Sequence, residues 1–173
     1  MVRPEELISL LNLKPLPEEG GCYVETYRCD EHIPVDALPY RYSGVRSFGT
    51  AIYYLLTADT FSTLHRLASD EIFHFYLGDP VEMLQLYPDG SGKVIALGHN
   101  IPSGQQPQVV VPRGVWQGAR LIPGGKFALM GTTVAPGFEY TDYEGGQREE
   151  LVRAYPQFRE LITALTRAEP AGR

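Results

Sequence analysis

Residues 63–78 read TLHRLASDEIFHFYLG, and this stretch decides the fold of the chain. Apolar and aromatic residues flank the short polar segment at 68–70 on both sides. Such a pattern is typical of two β-strands joined by a turn. His65, Glu71 and His74 lie within the predicted hairpin, so the same stretch also carries side chains suited to chemistry.

Similar runs, rich in β-branched and aromatic residues, recur on both sides of this hairpin. Pro, Gly, Asp and Ser separate them, and these residue types favour tight turns. Eight or nine short strands of this kind predict a mostly-β sandwich or barrel. The predicted strands are 22–28, 50–57, 62–67, 72–77, 81–87, 93–97, 108–111, 116–121 and 127–134.

The two ends of the chain have the apolar spacing of helices. Leucines at helical spacing predict a short N-terminal helix at about 5–13, and an apolar stripe predicts C-terminal helices at about 147–168. The sequence between about 20 and 140 then forms the barrel. Because the 173 residues contain no internal repeat and no linker, we predict a single domain over 1–173.

Composition and charge exclude several classes of function. The net charge is −6, and the basic residues form no run that would follow a phosphate backbone. No apolar run approaches the ~20 residues needed to cross a bilayer, and the N-terminus lacks the basic and apolar regions of a signal peptide. Cys22 and Cys29 form no C-x-x-C pair, which indicates reduced thiols. We predict a cytoplasmic protein that contacts neither nucleic acid nor a membrane.

Two segments resemble the motifs of the cupins, while the common nucleotide-binding and hydrolase motifs are absent. Cupins are identified by H-x-H-x(3,4)-E-x(6)-G, followed later by P-x-G-x(2)-H. The matching residues are His65, Glu71, Gly78, Pro112 and Gly114. The chain departs from the motifs at Leu67 and Gln117, which stand where two further histidines would be.

Other segments make the resemblance more specific. With EGGCYVETYR at 19–28, TAIYYLL at 50–56, GQQPQVVVP at 104–112 and VAPGFEYTDYE at 134–144, the chain resembles the single-domain cupins of family five, a domain of unknown function. The resemblance extends from about residue 5 to 165. It implies a double-stranded β-helix, or jelly-roll barrel, that usually pairs into a homodimer.

The residues at the cupin positions raise the question of a bound metal. Strand alternation directs His65 and Leu67 to one face, Glu71 rejoins that face after the turn, and Gln117 comes from the opposite side. An imidazole, a carboxylate and an amide oxygen suit one divalent Fe, Mn, Ni or Zn ion. The alternative is that His65 and Glu71 form a hydrogen-bonded polar pair in a ligand cavity.

Two further polar residues of the hairpin, His74 and Arg66, each allow two interpretations. His74 faces away from the barrel interior in a regular strand, but a bulge would bring it to the pocket as a further metal ligand. Arg66 forms either a surface ion pair or an anion contact.

Four residues are candidates for contact with a small-molecule ligand in the barrel mouth. About half of the aromatic residues in the strands must pack in the core, and the rest are free to hold a ring. An acid in a strand rich in tyrosine and valine needs either solvent or a partner. The candidates are Glu25, Tyr53, Phe73 and Trp116.

Two functions of different classes remain open. The first is an enzyme that acts on a small cyclic or sugar-like metabolite with His65 and Glu71 as catalytic residues. It would use one metal ion in lyase or oxygenase chemistry, or act as a metal-free isomerase or epimerase with His65 as base and a tyrosine as acid. The second is a module that binds or senses a small molecule without chemistry.

Overall fold

The structure, a computed structural model, describes residues 2–167. Within this range, thirteen strands lie between one N-terminal and two C-terminal helices. The helices are α1 (Pro4–Leu10), α2 (Arg148–Ala154) and α3 (Arg159–Ala164). The strands are β1 (Lys14–Pro15), β2 (Cys22–Arg28), β3 (His32–Ile33), β4 (Arg46–Ser47), β5 (Thr50–Thr57), β6 (Phe61–Leu67), β7 (Asp70–Gly78), β8 (Val81–Leu86), β9 (Gly92–Leu97), β10 (Gln108–Val111), β11 (Trp116–Leu121), β12 (Phe127–Ala135) and β13 (Tyr143–Gly145).

Two antiparallel sheets form the body of the molecule. The larger sheet has the order β1-β2-β5-β12-β7-β10, and the smaller has the order β13-β6-β11-β8-β9. Strands that are distant in sequence are neighbours in both sheets, as in a jelly roll. The predicted mostly-β jelly roll with helices at both ends is therefore confirmed.

Apolar side chains from both sheets fill the space between them. Along β7, Phe73 and Phe75 face this interior and are 1% and 5% exposed, whereas Tyr76 on the outer face is 44% exposed. Burying each such side chain contributes roughly 1.5–3 kcal/mol. Because side chains alternate along a strand, the interior face also receives Glu71 at one end of β7.

The helices cover outer faces of the two sheets. Leu151 of α2 and Ile162 of α3 pack with Leu84 of the smaller sheet, and Leu7 of α1 packs with Leu55 of the larger sheet. No helix within residues 2–167 combines the length and the apolar character that crossing a bilayer requires. The helices therefore close the sandwich from outside and leave its interior to the strands.

The helix boundaries differ from the predicted ones. Helix α1 covers Pro4–Leu10, inside the predicted 5–13 except for its first residue. The predicted region at 147–168 divides into α2 and α3, because Tyr155 before Pro156 leaves the helical conformation. Residue 168 lies outside the described residues, as do 1 and 169–173, so a single domain over 1–173 stays a prediction.

Candidate functional site

A cavity of about 270 Å³ lies between the sheets. Small-molecule pockets span roughly 300–1,000 Å³, so this one suits a small ligand. Carboxylates and aromatic rings share its wall with one imidazole and one guanidinium. The ionisable residues at the wall, tyrosines aside, are Glu18, Glu19, Glu25, Arg28, His65, Glu71 and Glu139.

His65 lies at the inner end of the cavity and is 1% exposed. Its Nδ1 is 2.7 Å from the carbonyl oxygen of Thr63, and since a carbonyl only accepts, Nδ1 carries the proton. In the neutral ring this leaves the lone pair on Nε2, which lies 3.9 Å from Oε2 of Glu19. The Tyr143 ring stacks on the imidazole with centroids 5.0 Å apart. His65 is thus fixed in orientation and keeps one nitrogen free for a ligand.

Strand pairing explains how His65 and Tyr143 come together. Strand β13 pairs with β6 so that Gly145 lies opposite His65 and Tyr143 opposite Leu67. With no side chain on Gly145, the Tyr143 ring reaches diagonally across to the imidazole. No spacing along the chain predicts this contact, because the two residues are far apart in sequence.

Glu71 is the buried acid of the cavity and faces His65 from the other sheet. Nε2 of Gln117 donates a hydrogen bond of 2.5 Å to its Oε2. Burial raises the pKa of Glu71 to about 7, and the charge of Glu19 adds to the increase, while His65 and the hydrogen bonds oppose it. Glu71 therefore exchanges its proton near neutral pH.

Glu19 is a site residue that sequence reasoning missed. Its Oε1 accepts a hydrogen bond of 2.9 Å from the Ser62 hydroxyl. Gly20 and Gly21 follow it with φ of 99° and 71°, and a Cβ at Gly20 would collide with the Phe61 carbonyl. The turn therefore requires glycines. The EGG triplet was the available signal, since paired glycines directly before a strand mark a strained turn.

Arg28 forms an ion-pair network at the rim of the cavity. Its guanidinium binds both carboxylate oxygens of Glu25, at 3.1 and 2.9 Å, and donates to Glu139 at 2.9 Å. A further N–H donates to the Phe138 carbonyl at 3.1 Å. The candidate ligand residue Glu25 therefore lies at the cavity, and its carboxylate is already engaged by Arg28.

Aromatic rings form the outer wall. Phe138 and Tyr140 pack edge to face with centroids 5.2 Å apart, and the hydroxyls of Tyr140 and Tyr23 are 3.5 Å apart. The hydrogen bond with Tyr23 raises the pKa of Tyr140 to about 12, and burial also raises the pKa of Tyr143. Both tyrosines keep their protons at neutral pH.

Three of the predicted ligand contacts lie away from the cavity, and we correct them. Tyr53 points to the outer face of the larger sheet, edge to face with Tyr76 at 5.9 Å. Phe73 shares the interior face with Glu71 but lies deeper, in the core. Trp116 faces the C-terminal helices, with the Arg66 guanidinium 4.5 Å from its ring centroid. Strand propensity indicated the strands but not which face each ring would take.

The structure also decides between the two alternatives predicted for each of His74 and Arg66. His74 lies on the outer face, where its Nε2 is 2.6 Å from the Thr133 hydroxyl. Strand β7 does carry a bulge, but it falls beyond His74, between the residues that pair with Met130 and Leu129. Arg66 forms a two-pronged ion pair with Glu144, both bonds being 2.8 Å.

The donor set does not fit a bound divalent metal. Among residues 2–167, no group of three His, Cys, Asp or Glu side chains is placed to hold an ion. Leu67 supplies hydrocarbon at one cupin ligand position. Gln117 directs its amide nitrogen, which is not a metal donor, at Glu71, and its oxygen is buried without a hydrogen-bond partner.

Two antiparallel sheets in jelly-roll order enclose a cavity that is lined by His65 and Glu71, two residues at cupin motif positions, and this is the architecture of a cupin. The chain belongs to the cupin family described as Cupin superfamily (DUF985), whose family model matches residues 5–145. The assignment agrees with the resemblance carried by the sequence motifs.

Proteins similar to this chain come from distant organisms. The uncharacterized protein YML079W of Saccharomyces cerevisiae is 31% identical over 150 residues, which are 81% of this chain and 75% of the yeast protein. The crystal structure of protein SO0799 from Shewanella oneidensis matches with a TM-score of 0.84 and 31% identity, covering 98% of this chain and 100% of that one. A hypothetical protein from Leishmania major has a TM-score of 0.86 and 27% identity, covering 96% and 100%.

Proposed function

We propose that the protein is an enzyme that transfers a proton on a small cyclic or sugar-like metabolite, using only its own side chains. The observation that carries the proposal is the pairing, within one cavity, of the free Nε2 of His65 with a carboxyl whose pKa is about 7. Titratable groups with different environments in one pocket are typical of acid–base catalysis. An isomerase or epimerase is the reaction class that needs no other group.

His65 acts as the base in this scheme. Its Nε2 takes a proton from a substrate carbon next to a carbonyl, and the electron pair passes to the carbonyl oxygen. The Thr63 carbonyl holds the imidazole in the required tautomer, and the Glu19 carboxylate stabilises the imidazolium that forms. Neutral Glu71 donates a hydrogen bond to the oxygen as its charge develops.

Tyr143 is the residue that we assign as the acid. It keeps its proton at neutral pH because burial raises its pKa, and its ring lies against His65. Because its ring lies against that of His65, Tyr143 approaches the substrate from the same face as the base. A proton returned on that face to the far carbon of a conjugated enolate shifts the double bond, which is an isomerisation. The imidazolium then returns its proton to the tyrosinate through solvent, and both groups recover their starting states.

Hydrogen exchange in heavy water tests the scheme. We expect the wild type to exchange the C–H proton of at least one member of a panel of cyclic and sugar-like carbonyl compounds, measured by loss of its NMR signal. His65→Gln should slow exchange by about 10²-fold or more, the typical contribution of a positioned base. Tyr53→Phe, on the outer face, is the matched control and should exchange normally. Equal rates for His65→Gln and wild type would rule out the assignment.

A module that binds or senses a small molecule is the second candidate. One observation favours it: several polar groups around the cavity already have partners within the protein, since Arg28 binds Glu25 and Glu139 while Gln117 binds Glu71. Such a protein would bind members of the same panel, raising its melting temperature, without any exchange. A ligand that binds tightly but keeps its C–H signal therefore supports the module and contradicts the enzyme.

We also propose that the protein works in the cytoplasm. Cys22 and Cys29 are both free thiols, and free thiols persist in reducing compartments. Fractionation of cells that express the protein checks the location, and recovery outside the cytoplasmic fraction would contradict it.

A further inference from the structure

The cavity contains a ring nitrogen that lacks a partner. His65 is 1% exposed and lines the cavity, yet its Nε2 makes no hydrogen bond to the residues described, the Glu19 carboxylate being 3.9 Å away. Among residues 2–167 the buried side-chain polar atoms without a partner are Oγ1 of Thr63 and Oε1 of Gln117, so Nε2 of His65 is instead open to the cavity that the residue lines. The cavity is thus built to receive a ligand, and the surrounding charges indicate the ligand's own charge.

The charged groups around that nitrogen are mainly acids. Glu18 and Glu19 lie on one side of the cavity, and Glu25 and Glu139 lie at its rim. Arg28 is the one Lys or Arg side chain among the lining residues described. Clefts lined by one sign of charge concentrate ligands of the opposite sign.

Arg28 offers little to an anionic ligand. Its N–H groups already bind Glu25, Glu139 and the Phe138 carbonyl. An anion would have to replace two carboxylates that belong to the same chain. Glu18 and Glu19, by contrast, form no ion pair with Lys or Arg among the contacts of residues 2–167.

Aromatic faces complete a cation-binding environment. Tyr23, Phe138, Tyr140 and Tyr143 line the same cavity as the acids. Aromatic rings attract ammonium groups electrostatically, and cages of such rings recognise methylated ammonium ligands. The two features are independent, because acids alone would suit any cation whereas the rings select an organic one.

Glu18 and Glu19 also act on two tyrosines of the cavity, Tyr140 and Tyr143. Burial raises the pKa of Tyr143, and the charges of Glu19 and Glu18 raise it further. The same two carboxylates contribute to the raised pKa of Tyr140. Arg167 opposes the effect at Tyr143 but donates to the Pro17 carbonyl and does not line the cavity.

We propose that the ligand of this cavity carries a positive charge, as a cyclic amine or an amine-bearing sugar does, with its ammonium group held between Glu18, Glu19 and the tyrosine faces. The inference names the substrate class for the proposed enzyme and so rests on that function for its location. It excludes phosphorylated and carboxylate-bearing ligands, because these would face Glu18 and Glu19, which have no Lys or Arg partner among the described contacts, and an arginine already bound to Glu25 and Glu139.

Three probes with the same ring test the charge preference. We expect cyclohexylammonium to bind at least about tenfold more tightly than cyclohexanol in calorimetry, and cyclohexanecarboxylate to bind more weakly than either. Raising the salt concentration should reduce the preference, because it rests partly on charge. Tighter binding of the carboxylate, equal binding of all three, or no measurable binding of the ammonium at millimolar concentration would overturn the proposal.

Variants locate the ammonium group. Glu18→Gln and Glu19→Gln should each lower the ratio of ammonium to alcohol affinity severalfold, and Glu19→Gln keeps an oxygen for the Ser62 hydrogen bond. Glu149→Gln changes the net charge equally at an exposed position on α2 and should leave the ratio unchanged. An unchanged ratio in the Glu18/Glu19 double variant would also overturn the proposal.

The two proposals can fail separately. Preferred binding of the ammonium probe without any hydrogen exchange leaves this inference standing and removes the enzyme. Exchange by His65 on neutral or anionic carbonyl compounds, with no preference for the ammonium probe, does the reverse.

Discussion

Glu71 is a carboxyl group buried between two sheets, and its surroundings keep the neutral form accessible near pH 7. Burial disfavours the charged form, and Glu19 adds like-charge repulsion. The hydrogen bond from Gln117 compensates only in part. A carboxyl group held in this way is suited to donate a hydrogen bond. Its ionisation lowers the stability of the folded protein.

The pH dependence of stability follows from this shift. In the folded state Glu71 binds its proton more tightly than at the ordinary pKa of 4.5 of the unfolded chain. Its stabilising contribution is therefore fully present below about pH 4.5 and is lost as the pH rises through about 7. We expect Glu71→Gln to gain up to about 3 kcal/mol relative to wild type between about pH 5 and about pH 8.

Urea unfolding of both proteins at the two pH values measures this difference. Glu149→Gln, at an exposed site on α2, is the control and should show the same pH dependence as wild type. If the difference between Glu71→Gln and wild type stays constant across this range, the pKa of Glu71 is not raised.

At the scale of elements, a buried ion pair holds the segment that covers the cavity. Arg46 of β4 and Asp142 are 2% and 5% exposed and are joined by bonds of 2.8 and 2.6 Å. Asp142 lies between the cavity residues Tyr140 and Tyr143. The pair therefore ties the two-stranded β3–β4 ribbon to the wall of the site.

We expect Arg46→Met to destabilise the protein by about 3–5 kcal/mol, because it leaves the Asp142 carboxylate buried without a partner. Adding Asp142→Leu should recover part of the loss. Arg120→Met removes a more exposed ion pair, with Glu82, and should change the free energy of unfolding by about 1 kcal/mol or less. Urea titrations of the four proteins test this, and equal losses for Arg46→Met and Arg120→Met would contradict it.

At the scale of the whole molecule, two copies are expected to pair, as the cupin resemblance implies. Tyr76 of β7 and Val110 of β10 are 44% and 49% exposed on the outer face of the larger sheet. Burying such side chains against a second copy would favour association. We expect light scattering to give twice the chain mass and Val110→Asp to shift it towards one chain. The mass of one chain for the wild type at all concentrations would contradict pairing.

Much of the fold was predictable, because strand patterns are local. The turn chemistry and β-branched runs located most of the long strands to within a residue or two, and alternation placed His65 and Glu71 on the interior face. The cupin spacing added the jelly roll itself. The helix ends were less accurate, since Asn12 adopts the left-handed conformation, with φ of 55°, that commonly ends a helix, and Tyr155 precedes a proline.

The sequence by itself determined the mostly-β architecture, the family and the two central residues of the cavity, because spacing and alternation act over a few residues. Only the tertiary structure decided which side chains surround these two residues. Glu19 and Tyr143 approach His65 because strands distant in the chain become neighbours, and whether a ring faces ligand or core depends on which sheet face a second element covers. The charge of the cavity likewise depends on which strands the fold brings together.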